Sequence, residues 1–173
     1  MNARYIFERL RSQGWSAQAV CAMLGNMQTE STINPAIWQN LTEGDSSLGF
    51  GLVQWTPSTK YTSWCSEQGL DPAHMDSALA RIEYELENGL QWIETDSYPL
   101  TFYEFKTSVL DVGYLADAFL NNYERPAEMN QPARAEQARA WYTLLNGSET
   151  GSEPSKPKRK GLSLLLLFAG SRR

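Results

Sequence analysis

The chain has 173 residues, 42% of them hydrophobic, enough for one domain with a packed core and too few to expect two. Residues 1–147 hold 9 Lys/Arg against 18 Asp/Glu, a balance of −9, whereas residues 148–173 hold 6 against 2, or +4. An acidic body argues against nucleic acid as a partner, because that partner needs a basic footprint.

The N-terminus is charged throughout, with Arg4, Glu8 and Arg9, and lacks the apolar centre of a signal peptide. It predicts a protein folded in a cytoplasm. Residues 3–12 carry Tyr5, Ile6, Phe7 and Leu10 at helical spacing and stop at Gly14. Ser16 is a good N-cap for a second helix reaching about residue 30, with Val20, Met23, Leu24 and Met27 on its apolar side. Residues 37–55 change character: Gly44, Gly49 and Gly51 interrupt short apolar pieces, as in a small irregular β-hairpin. Pro57 is suited to the first position of a third helix that stops at Gly69.

A helix over 75–88 bears Leu79, Ile82 and Leu86, and Asp111 caps another that runs to about Tyr123. Asn130 and Pro132 open a last helix that closes at Gly147. The aromatic-rich stretch 90–107 has no clean assignment. The expected organisation is one domain over 1–147, a polar and basic linker over 148–160 and a short apolar tail over 161–173. The tail is too short to span a bilayer, which needs about twenty apolar residues. Its basic-then-apolar order fits weak contact with a membrane surface, with packing on a partner or on the body, or simple disorder, as the other readings.

Cys21 and Cys65 fall within predicted helices and read as small buried thiols rather than a disulfide. The single histidine, His74, sits in a turn before a helix, where an exposed loop role is expected. One histidine does not furnish the nitrogen ligands of a zinc hydrolase, so no metal and no cofactor is expected.

Glu30 is the residue most suggestive of chemistry. Met23, Met27 and Glu30 are spaced by four and three, so Glu30 continues the apolar stripe of its helix. It also ends that helix, where the dipole disfavours a negative charge. Both effects favour an acid that keeps its proton, as cleavage of a glycosidic bond requires of the group serving the departing oxygen. About twenty residues on, the run Gly49-Phe50-Gly51-Leu52-Val53-Gln54-Trp55 supplies the other half of such a site. Gly51 lets backbone approach a sugar. Gln54 offers a donor and an acceptor, and Trp55 and Trp38 offer flat apolar faces. Tyr61, Trp64 and Trp92 have the same chemistry at less suggestive positions.

The segments Glu30-Ser31-Thr32-Ile33-Asn34-Pro35 and Gly49 to Trp55, followed by Tyr123-Glu124-Arg125-Pro126, resemble the lysozyme superfamily over roughly residues 3–146. The nearest resemblance is to the phage tail lysozyme domain of tail-tip wall-degrading proteins. It implies a mainly α, lysozyme-like α+β fold and a catalytic glutamate at Glu30. It also implies bacterial peptidoglycan as substrate, cut between N-acetylmuramic acid and N-acetylglucosamine. A protein made in the host cytoplasm, carried in the virion tail among other phage tail proteins, would match. Gly49 stands where animal lysozymes place a second catalytic acid. Asp45 is then the nearby carboxylate for a base or stabiliser, with a solvated turn as the other reading. Without a second acid, Glu30 would serve as acid and base, as in lytic transglycosylases. A non-catalytic wall-binding or tail-plug module is the alternative function. Glu124 and Arg125 read as an ion-paired structural corner.

Overall fold

The computed structural model describes residues 1–147; the linker and tail expected from the sequence lie outside the described residues. The described chain folds into helices α1 (Asn2–Ser12), α2 (Ala17–Ser31), α3 (Thr59–Gln68), α4 (Met75–Glu87), α5 (Phe102–Thr107), α6 (Val112–Phe119) and α7 (Pro132–Asn146). A 3-10 turn covers Gln39–Leu41, and a π-helical turn over Leu120–Glu124 prolongs α6.

Helix α2 is the axis of the domain. The Ser16 hydroxyl accepts from the Ala19 N–H at 3.0 Å and starts it. Residues from Ala17 to Met27 are buried on nearly every side, the pattern of a helix enclosed by others rather than laid on a surface. It packs against α1, α5, α6 and α7. Fully buried Met23, Leu24 and Met27 each contribute about 2 kcal/mol of apolar burial. Gly25 sets the approach to α7: a Cβ there would lie 2.4 Å from the Arg134 carbonyl oxygen and 2.8 Å from the Ala138 Cβ.

The flanking helices begin where local chemistry satisfies their free N–H groups. Asp111 accepts from the Tyr114 N–H at 2.9 Å and starts α6, and Pro132 opens α7. The short α5 emerges from the stretch without an assignment. Thr101 and Glu104 form a reciprocal capping box at its start, and buried Phe105 anchors it.

Two expectations need correction. Helix α3 begins at Thr59 rather than at Pro57. The Ser58 N–H donates to the Leu48 carbonyl at 2.9 Å, tying the cap residue to the preceding loop, while its own carbonyl accepts from the Thr62 N–H at 3.0 Å and starts the helix. In the glycine-rich segment, Phe50 makes isolated antiparallel bridges to Trp38 and Trp55, with no regular strand among the described residues. Gly51 and Gln54, both at positive φ (+86° and 49°), reverse the chain within a few residues, too tightly for a ladder.

Cys21 and Cys65 are free and buried, and burial pushes the Cys21 thiol up to about 12. His74 caps α4 by accepting from the Asp76 N–H at 3.3 Å. Among the described residues, no helix is long and apolar enough to cross a membrane.

Candidate active site

Glu30 lies in the last turn of α2, and its position is unusually constrained. The neighbouring Ser31 hydroxyl donates to the Leu52 carbonyl at 2.8 Å, tying the helix end to the glycine-rich segment. Thr32 and Ile33 then adopt φ of 53° and 58°, a left-handed conformation that costs β-branched residues about 1–3 kcal/mol each. Their surroundings enforce it. The Thr32 N–H donates to Gln28 at 3.1 Å, the Ile33 N–H to Met27 at 3.2 Å, and Asn2 donates to the Ile33 carbonyl at 2.9 Å.

Beside Glu30 opens a cleft of about 520 Å³, within the range of small-ligand sites. Trp38, Asn40, Gln54 and Trp55 line it, and so do Tyr123 and Glu124. Trp38 packs on Phe50 with ring centroids 4.6 Å apart. Trp55 stacks on Tyr61 at 4.2 Å and donates its indole N–H to Glu85 at 3.0 Å. Gln54 spends its amide N–H groups internally, on the carbonyls of Gly51 (2.8 Å) and Ile37 (3.2 Å). Gly51 packs beneath the Trp55 ring, where a Cβ would come within 3.1 Å of it. Gln54, Trp55 and Trp38 therefore meet Glu30 at one cleft, with Gly51 directly behind Trp55.

Other expected residues stand elsewhere. Asp45 is exposed in a turn and does not line the cleft. Its carboxylate accepts from the Ser47 hydroxyl at 2.6 Å and the Ser47 N–H at 3.0 Å, which holds the acid below its ordinary range. Trp64 packs against Tyr84 and Arg81, and Trp92 joins the Phe102–Phe105 cluster; neither lines the cleft. Tyr61 is wholly buried beneath Trp55.

Three charged residues complete the site: Arg134 and Glu85, which local patterns do not single out, and Glu124, which the sequence placed in a structural corner instead. Arg134 on α7 is 3% exposed and forms an ion pair with Glu30, whose side chain is 20% exposed. Arg134 is held in place by the Asn26 side-chain oxygen (3.1 Å) and by Gln131 (2.7 Å). Glu85, buried on α4, accepts from Arg81 at 2.8 Å, from Trp55, and from the Tyr123 hydroxyl at 2.5 Å. It thereby fixes two cleft walls at once.

Glu124 is the third, and it is not the ion-paired corner expected. Arg125 turns instead to the carbonyls of Gln91 and Asn122. The Glu124 Oε1 is enclosed and accepts no hydrogen bond from the described residues. Burial pushes this carboxyl well above the usual carboxylate range. The charge of Glu30 acts in the same direction, against Arg134.

Among the described residues, no group of three or more His, Cys, Asp and Glu side chains is placed to hold a metal ion. Morphogenesis protein 1 of Bacillus phage B103 is 55% identical over 147 residues, which is 85% of this chain. The chain spans 40% of that relative's length. The phage tail lysozyme family matches residues 1–145, the helices and cleft just described, and the chain belongs to that family.

Proposed function

We propose that the domain is a peptidoglycan-degrading glycosidase that cuts the β-1,4 bond between N-acetylmuramic acid and N-acetylglucosamine, with Glu30 as the reacting acid. One observation carries this: a half-buried carboxyl sits on a strained helix end, in a cleft also lined by Trp38, Trp55 and Asn40. Aromatic faces suit sugar rings, and amide groups suit acetamido and hydroxyl substituents. The acid would protonate the departing oxygen while water or a substrate oxygen attacks the anomeric carbon. The family and the phage relative support a role in virion tail penetration of the cell wall, with other tail proteins as partners.

Glu30→Gln keeps the shape and removes the proton. It should clear cell walls at least 100-fold more slowly than the parent; equal rates would reject the assignment. Product mass separates the two chemistries, because free reducing ends mark a hydrolase and 1,6-anhydro ends a transglycosylase. Asp45 enters as a second carboxylate with less support, since its hydrogen bonds are used within its own turn. Asp45→Asn distinguishes these: a rate loss of 100-fold or more would give it a chemical role, and a near-normal rate would leave it a turn residue.

The second reading is a non-catalytic wall-binding or tail-plug module. The Glu30–Arg134 ion pair favours it, because an acid already paired is a poor proton donor. Binding to purified peptidoglycan without release of new ends would establish that reading instead.

A further inference from the structure

Glu30 and Glu124 face one cleft from different elements, the end of α2 and the π-helical turn after α6. Their surroundings differ sharply. Glu30 has a guanidinium partner, whereas the Glu124 Oε1 is enclosed without one. A carboxyl with one enclosed oxygen that accepts no hydrogen bond is cheaper neutral than charged. Two acids whose environments pull them apart in this way divide the roles of proton holder and anion.

We propose that Glu30 and Glu124 share one proton, that it rests on Glu124 in the free protein, and that Arg134 allows it to move to Glu30. This rests on the glycosidase reading of the cleft. The Glu124 carboxyl gives its proton to the Glu30 carboxylate. The Arg134 charge, which already acts on both acids, then compensates Glu124 instead of Glu30, so the trio keeps the same net charge during this transfer and becomes one unit more negative only until the proton is regained from water. Glu30 passes the proton to the glycosidic oxygen as the carbon–oxygen bond breaks. Water adds hydroxide to the anomeric carbon, and its remaining proton returns to the pair. Glu124 thus acts through Glu30, as a positioning residue.

Other charges face Glu124 as well. Glu85 on α4 repels its anion, and the adjacent Arg125 favours it. Glu85 is itself paired with Arg81 at 2.8 Å, and Lys60 lines the same cleft. Arg134 is the charged side chain that pairs directly with Glu30.

The test uses the full chain with 13C-carboxyl-labelled glutamate, followed by NMR across pH. One carboxyl should titrate well above the usual range, vanish in Glu124→Gln, and titrate lower in Glu30→Gln, where a repelling charge is gone. An unmoved midpoint in Glu30→Gln would overturn the pairing. On peptidoglycan, Glu124→Gln should lose about 100-fold in kcat with KM little changed, and Glu124→Asp should recover part of it. Parental kcat in Glu124→Gln would overturn the proton supply. A parent protein that cleaves nothing would defeat the glycosidase reading, while the NMR midpoints would still decide whether the two acids are coupled.

Discussion

Arg134 and Glu30, 104 positions apart in the chain, meet where α7 crosses the end of α2. The guanidinium also reaches the backbone and side-chain oxygens of Asn26. The same residue therefore stitches the helices together and sets the charge beside the proposed reacting acid.

Arg134→Met should cost about 3 kcal/mol, because it leaves the Glu30 carboxylate without its guanidinium and the buried Asn26 oxygen without its donor. Adding Glu30→Gln removes the stranded charge. The double variant should accordingly be less destabilised than the two single variants summed, by about 1 kcal/mol or more. Urea unfolding of the three proteins measures this. Strict additivity would mean that the pair contributes no coupling.

Gly25→Ala tests how α7 is placed. The new methyl would sit 2.4 Å from the Arg134 carbonyl oxygen, a backbone atom that cannot swing away. Overpacking of this kind costs about 1–3 kcal/mol. The forced shift of α7 would also draw the Arg134 side chain off Glu30, so wall-degrading activity should fall more than the loss of folded protein explains. A variant with parental stability and activity would show that the two helices have room to spare.

What was legible in the sequence was local. The Ser16 and Asp111 caps, the Pro132 start and the apolar stripe ending in Glu30 are encoded within a few residues of where they act, and local spacing reads them. The capping pair Thr101 and Glu104 was just as local, three positions apart, and would have revealed α5. Its six residues were too few for periodicity to register. Arg134 and Glu124 belong to a different category. Their meaning comes from Glu30, which lies far away in the chain, so spacing alone is silent. Arg134 did leave one trace: with Ala135 and Ala138 it falls on the buried side of α7, where an unpaired cation would be prohibitive. The glycine-rich segment misled in the opposite direction. Glycines interrupting short apolar pieces suggested an irregular hairpin, but positive φ at Gly51 and Gln54 turns the chain back so tightly that isolated bridges form in place of regular strands.

Glu85→Ala should be among the most damaging single changes in the domain. It removes the acceptor for Arg81, Trp55 and Tyr123 together and leaves a largely buried guanidinium without its carboxylate. The expected loss is about 3–5 kcal/mol, seen as a lower urea midpoint. Trp55 and Tyr123 should also lose their fixed orientation, weakening chitooligosaccharide binding in whatever protein remains folded. A midpoint shift below about 1 kcal/mol would mean that water replaces Glu85 at little cost.

Stability against pH offers a test of Glu124 that needs no substrate. Its carboxyl is raised in the folded protein above the value it has in an unfolded chain, chiefly by burial and then by the charge of Glu30. Between those two values the folded state binds more protons than the unfolded state, so stability falls as pH rises through the window. Below the unfolded value both states are protonated and the penalty is absent. Glu124→Gln stays neutral everywhere and escapes the penalty altogether. At neutral pH the variant should be more stable than the parent, and the gap should close as the solution is acidified past the ordinary carboxylate range. Chemical denaturation at several pH values reads this difference. A constant gap would mean that Glu124 titrates alike in the folded and unfolded chains, which an enclosed, unpartnered carboxyl oxygen beside Glu30 does not permit.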